Sequence, residues 1–542
     1  MLAAEGMTQA IRSPAAQERG PSPLGVASHA DAPNLDPEVR LARLGPALAA
    51  LATFALHAAC WGRYGLFRDE LYFLVCGQRL SAGYVDQPPG IALVARLAYS
   101  LFGTWVPGLR VFSWIAGAAT VYLAGRLAAR ISGSGVAATV AAVAASSCLL
   151  LVGTSHNLSL GAFEPLLVLA LVHVLLRLSQ GGDPRLWVAA GGLAGLAVLM
   201  KYTAAPLCLG LLAGVAVTPA RRALRTWWAL AGATVGVLVV LPNFLWQAMH
   251  GFPFLEMVHA AVTWKNTPTT PLQFLLGLLG EAGLNTPLWV GGLAWFLFAP
   301  RARAARFMGV GGLIQLLALA FGHAKPYYAA ALVPILVAGG GVAVAELVRS
   351  ATVRWAYGAL VVATAIAFAP LAVPILPLAT FVRYLDAVKI RPPVNERLEQ
   401  SVLPQDRADE FGWREITAGV ARVYRSLPLE EQAHAAVFTQ YYGVASALEI
   451  LGPENGLPRG LAVSGHNQFW FWGLPEGRGD PLIVVSDPGE NCGGGLYREQ
   501  VLGEQLPKIP YVMPYENAHT IWICRGLSAP LRTLPASVRH FE

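Results

Sequence analysis

RYGLFRDELYFLVCGQRLSAGYVDQPPG, Arg63 to Gly90, decides the fold. Asp69 and Glu70 stand directly behind an apolar run of membrane-spanning length, and a third acid, Asp86, precedes the turn Gln87-Pro88-Pro89-Gly90. Between them Leu71, Tyr72, Leu74 and Val75 recur at helical spacing, which predicts an amphipathic helix at a membrane surface, with the acids at the water-lipid boundary.

Composition agrees with a membrane setting. Of 542 residues, 55% are hydrophobic and 13% charged, and the mean hydropathy is +0.50. An average soluble domain carries about 25% charge, so the chain reads as a mainly α, polytopic membrane protein. Its net charge of +7 does not indicate nucleic acid, because most arginines sit in short gaps between apolar runs, where they set topology. Of six cysteines, Cys60, Cys76, Cys148 and Cys208 lie in or near apolar runs. Cys492 and Cys524 lie in the polar tail and are either a disulfide, if that tail is outside the cytoplasm, or two free thiols.

Outward from the loop, residues 1–42 lack apolar periodicity and read as a disordered cytoplasmic tail. No cleavage site follows a short apolar core, so the run 44–61 reads as a retained anchor rather than a signal peptide. Ile91–Phe102, bracketed by prolines, is too short to span and reads as a second surface helix within the first outer loop, 62–107. Spans follow at 108–129, 135–154, 159–178, 186–200, 203–218, 227–247, 286–300, 307–322, 328–348 and 355–378. That makes about eleven spans, eleven to thirteen allowing for short segments, within a catalytic region 43–380. With the N-terminus inside, one set of loops holds Arg126, Arg130, Arg177, Arg185, Arg221, Arg222, Arg225, Arg301, Arg303, Arg306, Arg349 and Arg354, while the other holds isolated lysines. This asymmetry obeys the positive-inside rule and puts residues 381–542 on the outer face, the periplasm of a bacterium. In the tail, Glu396–Glu399 and Asp406–Glu415 read as a linker with helix. Ala435–Gln440, Leu461–Val463 and Leu482–Ser486 read as short strands around a helix at Val444–Leu451, a small α/β domain.

Ionisable groups in or beside spans are costly, so each is a functional candidate. On this topology Asp69, Glu70, Asp86, His156, Glu164, Lys201, His259, Lys265, Glu281, His323 and Lys325 share one side. Lysine or arginine there suits a lipid-linked phosphate, and a carboxylate suits removal of a proton from an attacking hydroxyl. Structural readings stand beside these: Asp69-Glu70 as compensation of a helix dipole, Lys201 and Lys325 as snorkelling side chains, His156 and His323 as hydrogen-bonded interface residues. Glu164 is harder to read structurally, because a carboxylate facing lipid costs about 2.5–3.5 kcal/mol. No Cys/His spacing matches a zinc site, and no glycine-rich loop follows a strand.

Asp69-Glu70 and then GYVDQPPG in the first loop, followed by two surface helices, resemble the GT-C glycosyltransferases of the dolichyl-phosphate-mannose protein mannosyltransferase type, glycosyltransferase family 39, whose bacterial members include lipid A aminoarabinose transferases. Further matching stretches are AFEPLLVLAL around Glu164, LMKYTAAPL around Lys201, HAKPYYAAALVPILVAGGG around Lys325, and QYYGVASALEILGPENGLP and SGHNQFWFWG in the tail. The resemblance implies inverting transfer of a sugar from a polyprenyl-phosphate donor to a lipid, glycan or protein acceptor at the outer face of the bacterial inner membrane. It also implies Asp69 as catalytic base and Glu70 and Glu164 as groups orienting acceptor or sugar. Arg68, Lys201 and Lys325 would hold the donor phosphate, with Asp86, His156, Tyr202, Tyr327, Tyr328 and His466 as further substrate contacts. The position of Glu164 is usually Asp in the family; the longer side chain moves the carboxylate by about one C–C bond. No metal is required, and a divalent ion is compatible with the acids.

Trp470 and Trp472, beside the hydrogen-bonding His466 and Asn467, suit stacking on sugar rings, yet Trp and Phe at alternate positions in a strand are more often core, and Tyr441 and Tyr442 carry the same two readings. A polytopic transporter or flippase is the alternative, expected to show inverted repeats, which the sequence does not display. A lipid-binding scaffold would leave the acids of the first loop unexplained.

Overall fold

The computed structural model describes residues 37–389, 401–474, 477–487, 490–492, 497–528 and 536–542. Glu396–Glu399 and most of the N-terminal tail lie outside these residues. Helix begins at Pro37, earlier than the tail reading allowed, because proline's fixed φ suits a first helical turn.

Each predicted span coincides with helix. Pro37–Ala59, Val106–Ser132, Leu160–Ser179, Leu186–Met200, Ala204–Val217, Trp227–Met249, Thr286–Phe298, Arg306–Phe321, Val333–Leu347 and Ala351–Ala372 account for ten. The remaining one, 135–154, is two helices, Gly135–Ser146 and Leu149–Thr154, interrupted where the Ser146 hydroxyl bonds the Val143 carbonyl oxygen. Among the described residues five helices are long and apolar enough to cross a membrane, and six shorter helices are also apolar.

Small residues set the close packing of this bundle. Gly135–Ser146 is half alanine and is buried against Pro37–Ala59, Val106–Ser132 and Val333–Leu347, as expected where helices associate without a hydrophobic drive. Contacts pair the arginine-bearing ends: Glu38 accepts from the Gly135 N–H at 2.6 Å, Ser179 bonds the Ala304 carbonyl at 2.8 Å and Trp187 that of Ala223 at 2.8 Å. The alternate turns, 60–67, 155–159, 201–203, 250–270 and 322–332, belong to the opposite end.

The first loop departs from its expected setting. Arg68–Gln78 is helical, but Glu70 through Gly77 are all buried. A helix apolar on every side belongs in a core, and the tail helix Tyr442–Leu451 covers the face expected to meet lipid. Gly90–Phe102 does behave as a surface helix: Ile91, Ala92, Ala95 and Ala98 are buried, while Leu93, Leu97 and Leu101 form an exposed apolar stripe.

The tail carries a five-stranded sheet: β1 (Ala436–Thr439), β2 (Ala462–Val463), β3 (Leu482–Ser486), β4 (Tyr497–Gln505) and β5 (Thr520–Leu527) in the order β2-β1-β3-β5-β4. β1 pairs parallel with β2 and β3, whereas β5 is antiparallel to both β3 and β4. The first three strands match the predicted segments. β3, buried at every position, is central, and helix Trp413–Ser426 packs its buried face on the sheet. Cys492 and Cys524 form a disulfide. SGHNQFWFWG is not a strand: Asn467 has a left-handed φ of 48°, and Gln468–Trp472 form one helical turn and a half, with Phe469 inside and Phe471 outside.

Candidate functional site

Asp69 lies in the first turn of Arg68–Gln78, where a helix N-terminus favours negative charge. Its side chain remains 36% exposed. The tail reaches it directly, because the Tyr442 hydroxyl donates to Asp69 Oδ1 at 2.7 Å. Burial, and secondarily the neighbouring Asp69, hold the Tyr442 phenol well above its ordinary range, so it remains a donor.

Glu70 faces the other way. Arg110 grips it through two bonds, Nε to Oε1 at 2.8 Å and Nη2 to Oε2 at 2.6 Å, and the main-chain N–H groups of Phe67 and Leu158 donate to it at 2.8 and 2.7 Å. With four donors and no exposure, this carboxylate ties the loop to the bundle and has no access to an acceptor. His156, expected among the substrate contacts, is also fully buried, between His57 Nδ1 at 3.4 Å and Arg110 Nη1 at 3.5 Å. Arg68, expected to hold phosphate, is committed to protein carboxylates: Asp409 at 3.4 Å, Asp69 at 3.6 Å and Glu516 at 3.8 Å, with Nη1 donating to the Tyr515 hydroxyl at 2.6 Å.

The GYVDQPPG loop is pinned from three sides. Tyr84 donates to the Cys76 carbonyl at 2.8 Å, Gln247 donates to the Tyr84 carbonyl at 2.9 Å, and the Val85 N–H donates to Gln468 of the tail at 3.2 Å. Asp86 accepts from the Tyr72 hydroxyl at 3.0 Å. Burial raises the Asp86 carboxyl to about 7, against the opposing pull of that hydroxyl. Gly90 closes the loop against the end of Leu186–Met200: a Cβ there would lie 2.5 Å from the Leu199 carbonyl oxygen. Only glycine permits this approach, which sets the loop beside Lys201.

Lys201 and Glu164 pair at 3.4 Å, and Thr203 donates to the other oxygen of Glu164 at 2.7 Å. The ammonium lies 4.9 Å from the ring centre of Tyr328 and 5.9 Å from that of Tyr327, within cation–π range. These rings follow Lys325, which caps the short helix Pro326–Ala329. Tyr202 donates to Asn243 at 3.0 Å and accepts from Gln247 at 3.2 Å, joining this cluster to the Asp86 loop. Leu158, bonded to Glu70, stands just before the helix that carries Glu164. Asp69, Asp86, Glu164 and Lys201 therefore belong to the same end of the bundle.

A cavity of about 130 Å³ is lined by Tyr442 and Arg68, the two neighbours of Asp69, together with Trp264, Lys265, Tyr441, His466, Tyr515, Glu516 and Glu542; Asp69, Glu164 and Lys201 are not part of its lining. Burial holds the His466 imidazole well below its ordinary value, hence neutral. The larger apolar cavity, about 860 Å³, runs along Pro37–Ala59 and Ala351–Ala372 and is lined by none of the predicted site residues. Among the described residues one group of metal-type donors comes together, His466, His540 and Glu542. Sequence reasoning left Lys265 among the outer-face lysines and missed Gln468, Tyr515 and Glu516, since only the folded tail brings them to the first loop.

Residues 86–246 match the family model described as dolichyl-phosphate-mannose-protein mannosyltransferase, a stretch that includes Asp86, Glu164 and Lys201. ArnT from Cupriavidus metallidurans in the apo state is similar in structure, with a TM-score of 0.56 and 15% identity over 89% of this chain and 97% of that one. ArnT of the same organism bound to undecaprenyl phosphate gives a TM-score of 0.56 and 16% identity over 90% and 99%. No curated protein matches in sequence. Over nearly its whole length the chain has the GT-C fold.

Proposed function

We propose that this chain, carrying the fold of the GT-C membrane glycosyltransferases, moves a sugar from a polyprenyl-phosphate donor to an acceptor hydroxyl at the outer face of a bacterial inner membrane. The observation that carries this reading is Asp69: partly exposed, oriented by Tyr442 at 2.7 Å, with Tyr442 itself lining a cavity that holds Lys265. The similarity to a protein solved with undecaprenyl phosphate supports a polyprenyl carrier as donor.

In the proposed step Asp69 removes the proton from the acceptor hydroxyl as that oxygen bonds to the anomeric carbon. The bond from this carbon to the phosphate oxygen breaks on the opposite face, so the configuration inverts. Polyprenyl phosphate departs as an anion and needs no proton. Lys201, Lys325 and Lys265 are assigned to the phosphate charge, which grows as the bond breaks. Glu164 and Thr203 hold Lys201 in place, and the Tyr327 and Tyr328 rings shape its surroundings. Glu70 and Arg68 are positioning residues for Asp69. The step itself requires no metal.

The outer-face assignment rests on two independent features. Arginines crowd the end of the bundle away from the site, and the Cys492–Cys524 bridge belongs in an oxidising compartment. The acceptor class, lipid, glycan or protein, is read out by mass spectrometry of envelope glycolipids and glycoproteins from cells with wild-type chain and cells with Asp69→Asn. The reading expects one sugar increment to vanish from one class in the variant. Identical envelope profiles would refute it.

A further inference from the structure

We propose that His466, His540 and Glu542 form a binding site for a zinc-class divalent cation on the tail side of the cavity. Their ligand atoms lie within 4.8 Å of one another. Two imidazole nitrogens with a carboxylate oxygen suit Zn²⁺, and three protein donors leave a fourth position for water or another oxygen.

The backbone holds these side chains together. His540 N–H donates to the Gly465 carbonyl at 3.1 Å and Asn467 N–H to the His540 carbonyl at 3.1 Å, a parallel bridge between His466 and His540. The Asn467 side chain accepts from the Glu542 N–H at 3.1 Å and donates to the Glu542 main-chain oxygen at 3.2 Å. Gly465 permits the approach, since a Cβ there would lie 1.8 Å from the Val538 carbonyl oxygen.

Proton placement favours a ligand at His540. Its Nδ1 lies 2.9 Å from the Val538 carbonyl oxygen, so that nitrogen carries the hydrogen and Nε2 presents its lone pair. This Nε2 is buried and has no hydrogen-bond partner among the described residues. A ring N–H donated to a backbone carbonyl, with the other nitrogen open, is the usual arrangement of a metal-ligating histidine. At His466, Nδ1 accepts the Tyr442 N–H at 3.4 Å, and Nε2 makes a long contact of 3.4 Å to the Glu542 main-chain oxygen. Cation binding at Nε2 places the ring proton on Nδ1, so the neutral imidazole gives up both 3.4 Å contacts, to the Tyr442 N–H and to the Glu542 oxygen, for one metal–nitrogen bond. The bare cluster leaves a buried lone pair unused, and a cation satisfies it. The inference rests on these three side chains and stands whether or not the chain transfers sugar.

The test is zinc titration of the full chain in detergent, after removal of metal with a chelator, followed by calorimetry and by the visible spectrum with Co²⁺ in place of Zn²⁺. Wild-type protein should bind one equivalent that His540→Ala and Glu542→Gln weaken at least about tenfold, with loss of the Co²⁺ ligand-field bands. His540→Asn keeps a donor for the Val538 carbonyl and should lose zinc affinity while its metal-free melting temperature stays that of wild type, separating ligand loss from unfolding. Binding that is equal in wild type and these variants, or no saturable binding by wild type, would overturn the site.

Discussion

Tyr442 and Asp69 are 373 positions apart in sequence and 2.7 Å apart in the fold, so the proposed base is completed by a residue from another layer. Tyr442→Phe removes one hydrogen bond and little volume; kcat should fall about 10–100-fold, the loss of a hydrogen bond to a charged group, while KM for donor stays near wild type, as steady-state kinetics will show. Asp86 supplies a pH signature. Its folded carboxyl titrates at about 7, above the ordinary aspartate range, so the folded state favours the protonated form. Stability is then lost as pH rises from the unfolded value through the folded one, and the penalty is complete above about 7. Asp86→Asn should therefore raise the melting temperature by a few degrees at pH 8 and by much less at pH 5, measured in detergent. Acids beside a span were legible in the sequence, but their directions were not. Adjacent residues on a helix point about 100° apart, which leaves Asp69 partly exposed against Tyr442 and sends Glu70 into the bundle. Tyr442 was ambiguous because a buried aromatic and a polar hydroxyl share one side chain.

Arg68–Gln78 shows how an element can be placed correctly and its surroundings misread. The helical spacing of Leu71, Tyr72, Leu74 and Val75 was visible, but the tail helix Tyr442–Leu451 that buries them lies far along the chain. Gln468–Trp472 is the converse case: alternating aromatics suggest a strand, whereas the left-handed turn at Asn467 starts a helix. The Glu70–Arg110 pair fastens the first loop to the bundle, with side chains no more than 1% exposed. Removing one partner strands a buried charge, so Arg110→Met should destabilise by about 3–5 kcal/mol and Glu70→Gln/Arg110→Met by less; thermal unfolding of both proteins checks the order. The bridge between Cys492 and Cys524 closes a loop across 32 positions, for which about 3.7 kcal/mol of stabilisation is expected. Peptide mapping without reductant should find it formed in cells, and Cys524→Ala should lower the melting temperature.

At the scale of the whole molecule, the turns between helices sort into an arginine-rich end and an end that carries the acids, the lysines and the tail sheet. Hydrophobic runs and arginine spacing made the helices and this polarity legible over most of the chain. The site was only half legible: its membrane-side residues lie in short recognisable motifs, whereas its tail-side residues depend on sheet and loop contacts without local periodicity. The account depends on Asp69 taking the proton of an acceptor hydroxyl beside a bound sugar donor, and replacement of that one carboxylate tests it most directly. Purified wild-type chain and Asp69→Asn are mixed with labelled polyprenyl-phosphate sugar and membrane extract, and release of polyprenyl phosphate is followed beside donor binding. The account predicts that Asp69→Asn binds donor as wild type does and releases carrier at least about 100-fold more slowly; release at the wild-type rate would contradict it.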